Sequence, residues 1–215
     1  ILVTSAVPRE GKSTVAANMA ITTAQSGLKT LLLESDLRRP LVHSIFGVPE
    51  EPGLTDLILG RVRIENAARA ADLENLYIIP SGCLPPNPSE LLGSSEMRSL
   101  VKRLTEEFDL VIFDTSPLAT FTDAAVLGAQ LDGVALVVQV GKTRQEVLLR
   151  AKHQLNNVQA DILGVVLNRV PVGGYGGYYG SYGYGYYERY YARPDQEAPG
   201  GKRRPPEQAA GGGVR

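Results

Sequence analysis

The chain is short of almost everything that would assign a partner by composition. Of 215 residues only Cys83 is a cysteine, so no internal disulfide framework exists, and Cys83 reads as an inert small side chain in a reducing cytosol. Neither sign of charge dominates, with 22 Lys and Arg against 23 Asp and Glu. That balance gives no whole-chain case for nucleic acid or an anionic membrane as partner. No apolar run reaches the roughly 18 residues of a membrane helix, and no secretory leader is legible. The two histidines, His43 and His153, stand apart without metal-ligand spacing. The first residue, Ile1, already reads as a core strand, so the expectation is of further chain upstream, with room there for membrane segments.

What is present is a series of continuous Val/Ile/Leu runs, at residues 1–5, 30–33, 110–113, 134–140 and 162–167. Continuous rather than alternating runs predict strands buried on both faces, as in a parallel sheet covered by helices. Helical stretches are expected over 11–26, 95–108 and 143–158. In the last, Val147, Ala151, Leu155 and Val158 share one helix face. Strands alternating with helices give the fold class: a doubly wound, mostly parallel α/β domain with right-handed crossovers, over residues 1–172. PSGCLPPNPSE, residues 80–90, reads as a loop crossing the carboxyl ends of the strands, where ligands bind in such sheets.

The strongest signal is ILVTSAVPREGKST, a strand, a loop and GKST opening a helix. This is a phosphate-binding loop: backbone N–H groups wrap the phosphates and the helix N-terminus adds partial positive charge. Glu10, Gly11, Lys12, Ser13 and Thr14 are the expected nucleotide contacts. Gly11 permits close backbone approach, Lys12 reaches the terminal phosphates, and Ser13 presents a hydroxyl to Mg²⁺. Ala6 stands where the motif usually begins with glycine. Asp114 ends the strand LVIFD, where a metal-binding aspartate belongs. In LLLESDLRRP, alternation aims Glu34 and Asp36 the same way if the strand extends that far. Three carboxylates are thus expected to face one γ-phosphate. Arg9 and Arg38 are candidate further cations, or solvated side chains.

Together, AVPREGKST, LLLESDLRRP, PSGCLPPNPSELL, FDLVIFDTSP and a tyrosine-rich end resemble the bacterial tyrosine kinases of capsule and exopolysaccharide export. The resemblance implies a P-loop fold related to the partitioning and division-site ATPases. Val7 stands where those ATPases carry a signature lysine, which separates this chain from them. ATP and Mg²⁺ are the implied cofactors. Asp36 and Asp114, with Ser13, would hold the metal largely through waters. Glu34 occupies the position of an aspartate that receives the substrate tyrosine's proton. Asn168 matches a residue that contacts adenine. Implied partners are a membrane chain-length-determinant activator, separate or fused, other copies of the chain, and a cognate tyrosine phosphatase, with no nucleic acid. The implied location is the cytoplasmic face of the plasma membrane. An arginine-bearing assembly helix precedes the first strand in that family, and Ile1 already stands at that strand.

The final segment sharpens the expectation. GGYGGYYGSYGYGYYERYY, residues 173–191, holds nine of the ten tyrosines. Residues 173–191 and the Pro/Gly/charge-rich 192–215 lack the apolar surface to offset ordering entropy and read as disordered. An extended strip of nineteen residues reaches roughly 60 Å. Tyr175, Tyr178, Tyr179, Tyr182, Tyr184, Tyr186, Tyr187, Tyr190 and Tyr191 are the expected phosphoacceptors, modified in trans. Alternatives are an adhesive low-complexity strip, a P-loop ATPase switch, or a chain-length regulator without kinase activity. Residues 202–204, KRR, read as a solvated patch or a weak contact for anionic lipid.

Overall fold

Seven strands form one sheet in the order β3-β4-β2-β5-β1-β6-β7. The structure is a computed structural model and describes residues 1–171. The expectations for 173–191 and 192–215, and the boundary at 172, lie outside those residues. The strands are β1 (Leu2–Ser5), β2 (Thr30–Glu34), β3 (Arg69–Ala70), β4 (Leu76–Ile79), β5 (Leu110–Asp114), β6 (Val134–Gln139) and β7 (Ile162–Asn168). All neighbours pair in parallel except β3, which runs antiparallel to β4. The helices are α1 (Lys12–Gln25), α2 (Val42–Phe46), α3 (Leu54–Ile58), α4 (Ile64–Ala67), α5 (Pro88–Leu92), α6 (Ser95–Glu107), α7 (Asp123–Gly128) and α8 (Gln145–Asn157).

The continuous runs do what their burial requires. Leu31, Leu32 and Leu33 of β2 are each fully buried, so the sheet is covered on both faces. One face packs under α1 through Ala16, Ala17, Ala20 and Ala24, whose small side chains let the helix lie close above Val3, Leu32 and Ile112. The other packs under α6 to α8, with Leu100, Leu104, Ala151 and Leu155 against Phe113 and Leu136. The expected face of α8 holds, with Val147 and Val158 packed at its margin.

Three expectations need correction. First, β7 is an edge strand with one face open, leaving Leu163 56% and Leu167 62% exposed, so its continuous apolar run does not mean burial on both sides. Second, Leu76–Ile79 is a strand between β2 and β3 that no adjoining motif announced, whereas the equally short β1 leads into GKST. Third, residues 80–90 do not stay loop throughout, because Pro88 opens α5 at the first helical position, where proline's missing N–H costs nothing.

Candidate active site

β1, β2 and β5 are neighbours through β1–β5 and β5–β2 pairing, and their carboxyl ends bring three segments together. The loop after β1 turns tightly, with Arg9 at φ 67° and Gly11 at φ 93°. Such a backbone is comfortable for glycine but strained for arginine. A Cβ on Gly11 would also lie 2.2 Å from Asn168 Nδ2. The loop is fastened by Glu10, which is buried. One carboxylate oxygen accepts from Val7 N at 2.8 Å; the other accepts from Gln139 N at 3.1 Å and from the Thr143 hydroxyl. The Glu10 side chain is therefore a clamp for the loop, and only its backbone is left to face a nucleotide.

The helix that follows is left without a cap. Gly11 offers no side chain, and no acid occupies the first turn of α1. In α6, by contrast, the Ser94 hydroxyl accepts from Met97 N at 3.1 Å and Glu96 lies in the first turn. A helix start lacking both features leaves its N–H groups and its partial positive charge for an anion.

At that start Lys12 reaches inward. Its Nζ lies 2.8 Å from Asp36 Oδ2 and 3.4 Å from Asp114 Oδ1, and donates to Ser13 Oγ at 3.1 Å. The expected convergence of Lys12, Ser13, Asp36 and Asp114 is present. Burial would lower the lysine's pKa, but Asp114 and Asp36 together outweigh it and hold the ammonium above its usual range. Burial dominates at Asp114 and, despite Lys12, pushes its carboxyl up to about 6. Asp114 is fully buried, and its Oδ2 has no hydrogen-bond partner among the described residues. An orphaned carboxylate oxygen at this depth is an incomplete site. Asp36 is fixed through its other oxygen, which accepts from the backbone N–H of Arg38 at 3.3 Å and Arg39 at 3.1 Å.

Glu34 does not join them. It pairs in register with Asp114, so alternation puts both on the α1 face of the sheet. Yet Glu34 leans toward β4 and α2 rather than toward Lys12. One of its oxygens accepts from Leu41 N and Val42 N at the start of α2. The other accepts from Ser81 N at 3.1 Å and faces His43 Nδ1 at 3.1 Å. Glu34 is wholly buried. Strand β2 also stops at Glu34, and Ser35 turns the chain by bonding the Asp114 carbonyl through both its N–H and its hydroxyl, at 2.8 Å each. The premise that Glu34 and Asp36 point together fails at that turn. Asn168 is likewise committed inside the protein: Nδ2 donates to the Glu10 carbonyl at 2.8 Å, and Oδ1 accepts from Arg169 N at 2.9 Å.

A cavity of about 540 Å³ opens above Lys12. Among the described residues it is lined by Ser13 and Thr14, by six cations (Arg9, Lys12, Arg38, Arg39, Lys142 and Arg169) and by one carboxylate, Asp36. The apolar lining beyond the loop, Leu41, Pro117 and Phe121, comes from the segments after β2 and β5. Here lies a group that sequence reasoning missed. Asp123, fully buried at the start of α7, accepts from Arg38 Nε at 2.7 Å and Nη2 at 3.1 Å. It also accepts from Ser116 Oγ at 3.2 Å and from the Ser89 hydroxyl. The guanidinium carbon of Arg38 sits 3.8 Å from the centre of the Phe121 ring. Burial would raise the Asp123 carboxyl, but hydrogen bonds from Arg38 and Ser89, with the guanidinium charge, hold it below the usual carboxylate range. The available signal was an aspartate opening the apolar run DAAVL, nine residues after Asp114.

Comparison with known proteins agrees with this architecture. Residues 9–164 match the AAA domain family described as AAA_31. The chain is 41% identical over 183 residues to the tyrosine-protein kinase YwqD of Bacillus subtilis (strain 168), covering 84% of this chain and 77% of that protein. Among solved structures it is similar to the chimerical protein CapA2B2, at 38% identity and a TM-score of 0.76, over 79% of this chain and 75% of that one. It is also similar to the kinase domain of the Escherichia coli tyrosine kinase ETK, at 32% identity and a TM-score of 0.74, over 82% and 71% of the two chains. With likeness of that extent in both sequence and fold, the chain belongs to the bacterial tyrosine kinase family.

Proposed function

We propose that this kinase transfers the γ-phosphoryl group of ATP to tyrosines of the 173–191 strip on another copy of the chain. Through that modification it regulates polymerisation and export of an exopolysaccharide, working at the membrane with a chain-length-determinant activator and opposed by a tyrosine phosphatase. No helix among the described residues is long and apolar enough to cross a membrane, so the membrane contact is assigned to that partner or to a fused domain. The observation that carries the chemistry is the convergence of Lys12, Asp36 and Asp114 at the uncapped start of α1.

Mg²⁺ fits the residues present. Among the described residues no three His, Cys, Asp or Glu side chains form a cage, and Mg²⁺ needs none, being held by one or two carboxylates, phosphates and water. Asp114 with its orphaned oxygen, Ser13 and, through water, Asp36 would hold the ion, which when bound supplies charge neutralisation at the phosphate oxygens. The chain's own groups do the rest. Lys12 exchanges its carboxylate partners for the terminal phosphates, and the N–H groups at the start of α1 bind the phosphates ahead of transfer. The phenol ring lies on the β2–β5 side of the cavity against Leu41, Pro117 and Phe121. Its oxygen bonds to the γ-phosphorus as the bond from that phosphorus to the bridging oxygen breaks, and ADP leaves. The phenol proton passes to Asp36, the one carboxylate among the described residues that lines the cavity, instead of to Glu34.

Incubation of purified protein with labelled ATP tests this. Label should appear on tyrosine and disappear in Lys12→Met. Phosphate release without labelled protein would sink the kinase reading of this chain and favour a nucleotide-driven switch.

A further inference from the structure

Resting on that reading, the cavity's β2 side carries a second specificity. Of its two arginines, Arg38 is spent: Asp123 neutralises it and Phe121 supports its face. Arg39 is exposed, and among the described residues it has no carboxylate within 4 Å. Its backbone is nonetheless fixed, because Arg39 N donates to the buried Asp36 at 3.1 Å. A guanidinium with an anchored backbone, an exposed head and no counterion is suited to bidentate recognition of a phosphate. The sheet order sets it apart from Lys142 and Arg169, which follow β6 and β7 on the far side of β1. It stands instead beside the apolar wall assigned to the phenol.

The acceptor strip is built to present such a phosphate. Every tyrosine of residues 173–191 has another within three residues, about 10 Å of extended chain. Tyr182, Tyr184 and Tyr186 alternate with glycine, so in an extended backbone their side chains fall on one side. We infer that Arg39 binds a phosphotyrosine neighbouring the acceptor, so that each phosphate added primes the next transfer and the strip is phosphorylated in runs.

The test uses the full chain and two peptides spanning residues 182–191 in which Tyr186 is the only acceptor. The other tyrosines are replaced by Phe, except that one peptide carries phosphotyrosine at position 184. For the unaltered enzyme, kcat/KM should be about tenfold higher for the phosphorylated peptide, the order expected of one charge-assisted contact. The advantage should shrink in high salt. In Arg39→Ala the ratio between the peptides should fall to about twofold, and in Arg39→Glu below one, while Arg39→Lys restores part of it. A merely structural role for Arg39 would slow both peptides alike. Equal rates for the two peptides, or a ratio unchanged in Arg39→Ala, would overturn the inference and leave the kinase reading standing. Labelling of neither peptide, by protein that binds ATP, would overturn the strip as acceptor and the inference with it.

Discussion

Glu34 and Asp114 are register partners on adjacent strands, both fully buried on one face of the sheet, yet they differ in everything that bears on chemistry. Glu34 is saturated by three backbone N–H groups and faces His43, so its charge holds the start of α2 and the loop after β4 in place. Asp114 has an ammonium at 3.4 Å and one oxygen with no hydrogen-bond partner among the described residues. A buried carboxylate whose acceptor sites are filled belongs to the architecture. One left incomplete stores a cost that a ligand can relieve.

The largest expected effect breaks the incomplete member. Asp114→Asn should lower phosphoryl transfer about 10³-fold or more, roughly 4 kcal/mol of transition-state stabilisation. The nucleotide-free protein should nonetheless become more stable at neutral pH. Because the Asp114 carboxyl is raised from 3.8 to about 6 in the fold, the native state binds the proton more tightly than the unfolded chain. The stability this group contributes is fully present below the unfolded value and is lost as pH rises through about 6. Asparagine removes that loss, which is about 1–3 kcal/mol. Urea unfolding at pH 4.5 and pH 7 reads it: the variant's gain over the parent should be clearly larger at pH 7 than at pH 4.5, where only the first part of the loss has occurred. A variant less stable than the parent at pH 7 would show that the Lys12 pair outweighs burial.

The next effect inverts the first. Glu34→Ala should cost about 3 kcal/mol of stability by leaving buried N–H groups without an acceptor, while phosphoryl transfer by the protein that remains folded falls less than about tenfold. Denaturant midpoints paired with rates per folded molecule separate the two. Unchanged stability with transfer abolished would return Glu34 to the role of base.

That inversion marks how far the sequence could be read. The GKST element, strands β1, β2, β5, β6 and β7 and the three longer helices were legible because burial, periodicity or an adjoining motif leaves a pattern in the chain. Lys12, Ser13, Asp36 and Asp114 were legible because each ends or follows a strand, or opens a helix, beside the GKST element. Glu34 was expected beside Asp36 and Asp114 at one γ-phosphate, but its partners, Ser81 and the start of α2, arrive through a turn and a strand that no adjoining motif announces. Asp123 was silent for a related reason: its significance is its pairing with Arg38, 85 residues away. Long-range pairing of single polar side chains leaves no period in the chain.

Asp123 offers an intermediate case, a saturated carboxylate whose partner lines the cavity. Asp123→Asn keeps the shape but releases Arg38 to move. KM for a tyrosine peptide should rise about tenfold, with the KM for ATP changed by less than about threefold, the split expected where a residue positions only the acceptor side. A stability loss of about 1–2 kcal/mol should accompany it. Equal change in both constants would place Arg38 on the nucleotide instead.

The smallest effect concerns Asn168, whose amide is filled on both sides by the Glu10 carbonyl and Arg169 N. If saturation means architecture, Asn168→Ala should behave as a small version of Glu34→Ala. It should cost about 1 kcal/mol of stability and change the dissociation constant for ATP less than about threefold. The neighbouring glycine supplies the internal control. Gly11→Ala in the parent meets both the left-handed backbone at φ 93° and the Asn168 amide at 2.2 Å; in the Asn168→Ala background only the backbone strain, about 1–2 kcal/mol, remains. Should Asn168→Ala instead weaken ATP tenfold with stability intact, the amide must leave Glu10 to meet the base, and saturation in the nucleotide-free state would not mark a residue as structural.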